Sequence, residues 1–468
     1  MATATIIGSG PNGLSAAIAL ASAGVSTTVF ERNTQIGGAC SSSEITLPGY
    51  THDLGSSVFP MGIASPFFRS LPIAIPWIQP SVPCAHPLDD GTAVLLHHSI
   101  DDTVANLDPD DARKYRSLFE PLAANFTELL PDLLGPIQHM PEHPLLLSRF
   151  GLSALISAAS LARSRFPGVR ARALFAGIAG HSVLSLEAPA SAAVVLVLIA
   201  AGHTTGWPIV RGGAQTLSNT LAHHIESLGG RIETSHEVTH LPDTSLVLAD
   251  ITPRQLLAIS ADKLPVPYRR QLQRFRYGGG TFKIDYALNS AIPWTANECS
   301  LAATVHLGGT LEEIIASEEN FTSDYPCVVL VQPSLFDPTR APTGHHTAWA
   351  YCHVPNGSTT DRLGAIERQI ERFAPGFRDC ILARVISPPA ALESWNSNLI
   401  GGDLSGGAMN LRQLLFRPTP SLYRTPVDGL FLCGASTPPG GGVHGMAGFH
   451  AAQCALQYLT HPTTHRTL

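Results

Sequence analysis

Six residues near the start of the chain, Gly8-Ser9-Gly10-Pro11-Asn12-Gly13, carry the first chemistry that can be read from it. Ala4-Thr5-Ile6-Ile7 leads into them as a short buried strand, and Leu14, Ala17, Ile18 and Ala21 follow at helical spacing. Gly24 stops that helix, Val25 to Phe30 reads as a second strand, and Glu31 comes directly after it. Strand, glycine loop, helix, strand and acid is the order of a dinucleotide site. Gly8 permits the tight turn, Gly10 lets the backbone approach a pyrophosphate, and Gly13 lets helix and strand pack closely. The helix that starts at Pro11 and Asn12 offers the free N–H groups of its first turn, from Asn12 onward, to an anion. Glu31 is placed to accept hydrogen bonds from a ribose diol, which disfavours a 2′-phosphate.

A second glycine pair decides between nicotinamide and flavin dinucleotides. Arg32-Asn33-Thr34-Gln35-Ile36 separates Glu31 from Gly37-Gly38. That spacing resembles the signature of the large FAD family that includes amine oxidases and carotenoid desaturases. The resemblance implies that Gly37, Gly38 and Ala39 lie close to the pyrophosphate and the ribityl chain. At the other end of the chain, Gly429 to Gly434 reads as a buried strand. A glycine-rich loop follows, Ala435-Ser436-Thr437-Pro438-Pro439-Gly440-Gly441-Gly442-Val443-His444-Gly445-Met446-Ala447-Gly448, and then a helix from about Phe449 to Leu459. Such a helix start stabilises negative charge by about 0.3–1 kcal/mol at an exposed site. In flavoproteins the charge is that of the reduced pyrimidine edge.

The PPGGGVHGM core of that loop, together with Gly206-Trp207-Pro208-Ile209-Val210-Arg211-Gly212-Gly213 and Ala249-Asp250-Ile251-Thr252-Pro253, resembles the phytoene desaturase-like branch of the FAD-dependent oxidoreductases. The segments Gly279 to Trp294, Phe336 to Pro342 and Tyr351 to Gly357 extend the resemblance over nearly the whole chain. It implies an α/β fold: a discontinuous Rossmann-like FAD-binding domain from 1–65, 206–261 and 406–468, and an α+β substrate domain from 66–205 and 262–405. It implies non-covalent FAD and hydride transfer from a hydrophobic substrate carbon to flavin N5. Further cofactor contacts carried over with it are Arg32, Gly55, Ser56, Gly434, Ala435, Val443, Gly445 and Met446, with Val238 lending backbone to the adenine. Two positions depart from the pattern. Ala435 stands where many of these flavoproteins have an Asp for the ribityl hydroxyl, and Ala447 where relatives often have Cys. No second glycine fingerprint with strand and helix flanks exists, so a separate NADPH domain is not expected.

The elements between the cofactor loops must supply everything else. Ala214 to Leu228 reads as a helix, with strands expected over Arg231–Leu241 and Ser245–Thr252. In Thr281 to Leu288, Phe282, Ile284, Tyr286 and Leu288 share one face, read as core, and Lys283 and Asp285 share the other. In His345 to His353, the face of His345, Thr347, Trp349, Tyr351 and His353 is polar and aromatic together and reads as a cavity wall. Candidate catalytic groups are therefore His444, inside the glycine loop, with His353 and Tyr351 on that wall. His444 also reads as a loop-fixing hydrogen-bonder. His181 and His203 border apolar stretches and read as structural. Cys352 points away from the two neighbouring histidines, so no metal site is expected.

Bulk composition limits the partners. Of 468 residues 44% are hydrophobic and only 14% charged, so there is ample material to bury and disorder is excluded. A net charge of −7 disfavours nucleic acid as a partner. The eight cysteines are scattered singly, which fits reduced thiols in a cytoplasmic protein. The apolar run from Ala188 to Gly202 is too short to span a bilayer and reads as a buried helix. The basic run Arg269–Arg276 reads first as a solvated helix face and second as a peripheral contact for anionic lipid. The expected partner is a small hydrophobic substrate. Alternatives left open are an amine oxidase releasing peroxide, a saturase or isomerase, and an FAD-stabilised protein that binds partners without turnover.

Overall fold

A computed structural model describes residues 2–136, 138, 140–260 and 262–461. Near-continuous apolar runs such as Ala4-Thr5-Ile6-Ile7 and Leu246-Val247-Leu248-Ala249 suit strands covered on both faces. They form a parallel five-stranded sheet in the order 430–432, 246–249, 3–7, 26–30, 231–233. Helix Pro11–Ser22 packs on this sheet beside helix Ala214–Ser227 and the last helix, Met446–Thr460. Leu14, Ile18, Leu217, Leu221 and Ile225 fill the shared core.

The second sheet has seven strands, ordered 381–387, 280–288, 346–354, 328–331, 302–307, 82–87, 93–96. All pairings are antiparallel except that of 302–307 with 82–87. Phe282, Ile284, Tyr286 and Leu288 turn into the core beneath it with Ala348, Ala350 and Cys352. The opposite face carries Lys283, Asp285, Thr304, His306, Trp349, Tyr351 and His353, by strand alternation and register. Helices Val169–Ala179 and Ala192–Thr204 pack into a third core that includes Trp207.

Several boundaries differ from the sequence reading. The strand from Arg231 ends at Glu233, because Ser235 has φ +55° and His236 folds back to stack on Phe30 at 4.0 Å. The strand expected over Ser245–Thr252 shortens to Leu246–Ala249, since Thr252 bonds the Gln255 side chain ahead of helix Pro253–Ser260. The last helix begins at Met446, three residues before Phe449, with Gly445 at φ +69° as its cap. Helix Val266–Gln273 buries Tyr268 and Leu272. Among the described residues, no single helix is long and apolar enough to cross a membrane.

Candidate active site

The glycine loop sits where the first strand meets its helix. Gly8 takes φ +96°, and its N–H donates to the Phe30 carbonyl at 2.8 Å, which closes the turn. A β-carbon on Gly10 would lie 2.6 Å from Asp250 Oδ2, and one on Gly13 would strike the Gly8 carbonyl oxygen. Glu31 is buried and accepts from Ser9 N–H (3.0 Å), Ser9 Oγ (2.7 Å) and Asn33 N–H (2.9 Å). The acid thus braces the loop as well as facing the groove.

A groove runs along this edge of the sheet. Gly8, Gly10, Pro11, Asn12, Glu31, Arg32, Gly38, Ala39, Ser56, Val238, Ala435 and Val443 all line it. Gly13, Gly37, Gly55, Gly434, Gly445 and Met446 do not line it. Gly37 donates to Ser9 and leaves no room for a side chain beside Cys40 and Ser218. A β-carbon on Gly434 would lie 2.8 Å from Asp250 Oδ1, and Gly445 presses on Ser15 and Phe68. These glycines allow close packing behind the groove, and Gly55 lines the adjoining cavity. The glycine-loop part of the groove suits a dinucleotide: the backbone at Gly10 leaves no room for a side chain beside Asp250, and the buried Asn12 Oδ1 in its wall has no hydrogen-bond partner.

Sequence reasoning missed several groove residues. Asp250 ends the strand beside the loop, and its Oδ2 accepts from Gly13 N–H at 3.0 Å. Burial pushes its pKa up to about 7; Glu31 adds to the rise and the Gly13 hydrogen bond opposes it. An Ala-Asp pair at a strand end was the available signal. His236 and the stretch Asn396–Leu399 reach the groove from loops whose paths no periodicity reveals.

A second cavity of about 210 Å³ adjoins the groove, sharing Ala39, Ser56, Leu399 and Leu404 with it. Its walls include Trp207, Trp349, Tyr351, Trp395, Leu198, Val329 and Val331, with Lys283, His181 and Thr304 as polar members. Lys283 Nζ is held 2.5 Å from both oxygens of Asp285 and 3.1 Å from the Asp53 carbonyl. It lies 5.4 Å from the Trp349 ring centroid, and the Trp349 and Tyr351 rings stack at 5.8 Å. The Trp349 indole donates to Ser57 Oγ at 2.7 Å.

The loop under this cavity is pinned by a buried ion network. Asp53 accepts from Arg340 Nη2 (2.7 Å), Ser42 Oγ (2.6 Å), Ser57 Oγ (2.5 Å) and Ala214 N–H (2.8 Å). Arg340 also donates to Asp337, and Asp337 accepts from Gly212 N–H. This joins the 42–57 loop, the start of helix Ala214–Ser227 and the second sheet.

Of the three candidate catalytic residues, Tyr351 lines the cavity, while His353 and His444 do not. His353 is buried behind the wall with Nδ1 2.8 Å from Glu318 Oε2. Burial lowers its pKa, but the Glu318 carboxylate outweighs this and leaves it raised. His444 turns inward: its Nδ1 accepts from Met446 N–H at 3.1 Å and its carbonyl accepts from Ser65 Oγ at 2.6 Å. Burial lowers its pKa to about 4, so the ring is a neutral brace for the glycine loop. His345 stands outside the wall, edge-on to Tyr50. His181, read as structural, lines the cavity instead, and burial lowers its pKa to about 4. Strand periodicity gave the correct face but not which part of it the helices cover. Among the described residues no cluster suited to a metal occurs.

Residues 6–71 match the NAD(P)-binding Rossmann-like domain family. The chain is 26% identical to the rat (Rattus norvegicus) pyridine nucleotide-disulfide oxidoreductase domain-containing protein 2, over 97% of this chain and 93% of that one. It is 24% identical to a limonene dehydrogenase component of Castellaniella defragrans (97% and 94% covered). With the neurosporene-forming phytoene desaturase of Rhodobacter capsulatus the identity is 25% (96% and 92%). Among solved structures, an oxidoreductase from Methanosarcina mazei superposes with a TM-score of 0.67 at 16% identity, covering 97% of this chain and 100% of that one. Cyclohexylamine oxidase from Brevibacterium oxydans does so with 0.60 at 18% (98% and 99%). Likeness to desaturases and dehydrogenases over nearly the whole chain, together with a groove lined from both ends of the sequence, makes this protein similar to the phytoene desaturase-like FAD-dependent oxidoreductases.

Proposed function

We propose that the protein is a dehydrogenase of a compact, largely apolar substrate that is bound in the cavity beside the FAD groove. The observation that carries this reading is the wall itself: three tryptophans, Tyr351, and leucines and valines enclose a space that shares four residues with the groove. Bound FAD supplies a hydride acceptor at its N5. The protein's own part is to bind the substrate, hold its carbon towards the groove and keep water out. An apolar wall favours entry by about 0.8 kcal/mol for each methylene removed from water.

The cavity is short, at about 210 Å³. A cavity of about 150 Å³ takes a benzene ring, so the space here takes on the order of ten carbon atoms. That size suits a monoterpene-sized body and not a long polyene.

The amine oxidase alternative meets two obstacles. Among the described residues, no carboxylate lines the cavity to receive a cationic amine. The face of Trp349 is already engaged by the Lys283 ammonium, which also repels a second cation. Anaerobic mixing of the FAD-loaded protein with limonene and with cyclohexylamine tests the reading. Bleaching of the flavin band by the hydrocarbon alone is expected, and bleaching by the amine alone would overturn it.

A further inference from the structure

Among the polar groups that line the cavity, Thr304 and His181 stand out. Thr304 is 2% exposed and lines the cavity, yet its Oγ1 has no hydrogen-bond partner. His181 lines the same cavity, with Nε2 2.8 Å from Nε2 of His306. One of these nitrogens must donate and the other accept, so the two rings hold complementary tautomers. The His181 ring stands edge-on to Trp207 at 5.8 Å. Thr304 and His306 lie two residues apart on one strand and therefore on one face.

A buried hydroxyl without a partner costs about 1–3 kcal/mol, and a folded protein rarely leaves one unmet. The rest of the cavity wall gives no reason for a polar atom there. Tyr351, Trp349 and Lys283 stand on other strands of the sheet, and the last two are satisfied by Ser57 and Asp285. Of the residues lining the cavity, Thr304 is the one whose fully buried side-chain oxygen lacks a partner, and the histidine pair stands on the same wall.

We propose that the substrate carries one oxygen, as a hydroxyl or a carbonyl, which is received by Thr304 and His181 while its alicyclic body fills the apolar remainder of the cavity. A threonine hydroxyl both donates and accepts, and the imidazole pair can exchange tautomers, so the corner reads either group. Neither residue is among those shared with the FAD groove. In the proposed arrangement the oxygen sits at this corner and a carbon of the body is left to face the groove. The corner is a specificity-determining site, and it rests on the reading of this cavity as the substrate pocket.

The test is a binding titration of the FAD-loaded protein with trans-decalin, 2-decalol and 2-decalone, read from the perturbed flavin spectrum. The alcohol and ketone should bind about ten-fold or more tightly than the hydrocarbon, the factor set by completing one buried hydrogen bond. In Thr304→Val the preference should collapse while decalin affinity holds, and Thr304→Ser should retain it. Equal affinity for all three in the wild type, or a preference that survives in Thr304→Val, would overturn the polar corner alone. If none of the three perturbs the flavin, the cavity is not the substrate pocket and both readings fall.

Discussion

The N–H of Gly13 donates to Oδ2 of Asp250 at 3.0 Å, tying the glycine loop to a carboxyl buried at the end of the neighbouring strand. That carboxyl lines the groove beside Gly10, where the glycine pattern would bring a pyrophosphate. Burial holds its pKa up near 7, with Glu31 adding to the effect, so it ionises in the physiological range. Below that value the group is neutral and tolerates the pyrophosphate; above it, two like charges meet. FAD affinity should therefore fall as pH rises through about 7. Equilibrium titration with FAD across this range should show the decline in the wild type and a flat profile in Asp250→Asn. A wild-type profile as flat as the variant's would exclude the effect.

Glu31 has a double role, as the acid facing the groove and as the acceptor for Ser9 and Asn33. Glu31→Ala should lose a charge-assisted contact of about 1.5–3 kcal/mol, which is on the order of ten- to hundred-fold in FAD affinity. Dialysis followed by flavin quantification checks this. Full retention of the cofactor would show that Glu31 does not hold the ribose.

Arg340 is fully buried between Asp53 and Asp337. Arg340→Met strands two buried carboxyls and should cost about 3–5 kcal/mol in denaturant unfolding. The pH dependence has a definite sign. Burial raises the Asp53 pKa, but the charge and hydrogen bonds of Arg340, with those of Ser42 and Ser57, bring it below the ordinary carboxylate value. Its contribution is thus present above the unfolded-state pKa and is lost as pH falls through the folded one. The gap between wild type and variant should narrow in acid; a gap that widens there would contradict the assignment.

His444 braces the glycine loop as a neutral ring that accepts from Met446 N–H and also meets the backbone of Gly440 and Gly441. His444→Asn can supply an acceptor of its own, so it should cost no more than about 1 kcal/mol of stability. The pH profile of flavin reduction should stay in place. A profile that loses an ionisation would return His444 to the chemistry.

How much of this was legible beforehand follows from the range of the interactions. Gly8 to Gly13, Glu31 and the closing loop Gly434 to Gly448 announce themselves because a glycine pattern and strand periodicity are local. The polar and aromatic face of Trp349 and Tyr351 was legible for the same reason. His181 and Thr304 were not, because their role depends on the cavity formed where a helix end and a distant strand meet. His444 carried two readings, and the structure agrees with the loop-fixing one, because sequence places it in the loop but cannot say which way the ring turns. Arg340 lies in the Phe336 to Pro342 segment of the resemblance, but its pairing with Asp53 and Asp337 was not legible because it forms only through tertiary packing.

Bound FAD taking electrons from a small apolar substrate is the proposed reaction. The most direct measurement is the visible spectrum of the purified, FAD-equilibrated protein before and after anaerobic addition of a monoterpene-sized alicyclic alcohol. The account predicts a yellow protein with one releasable FAD per chain, whose flavin band bleaches on mixing. A protein that takes up no FAD, or a flavin that stays oxidised with such substrates yet is bleached by amines, would contradict it.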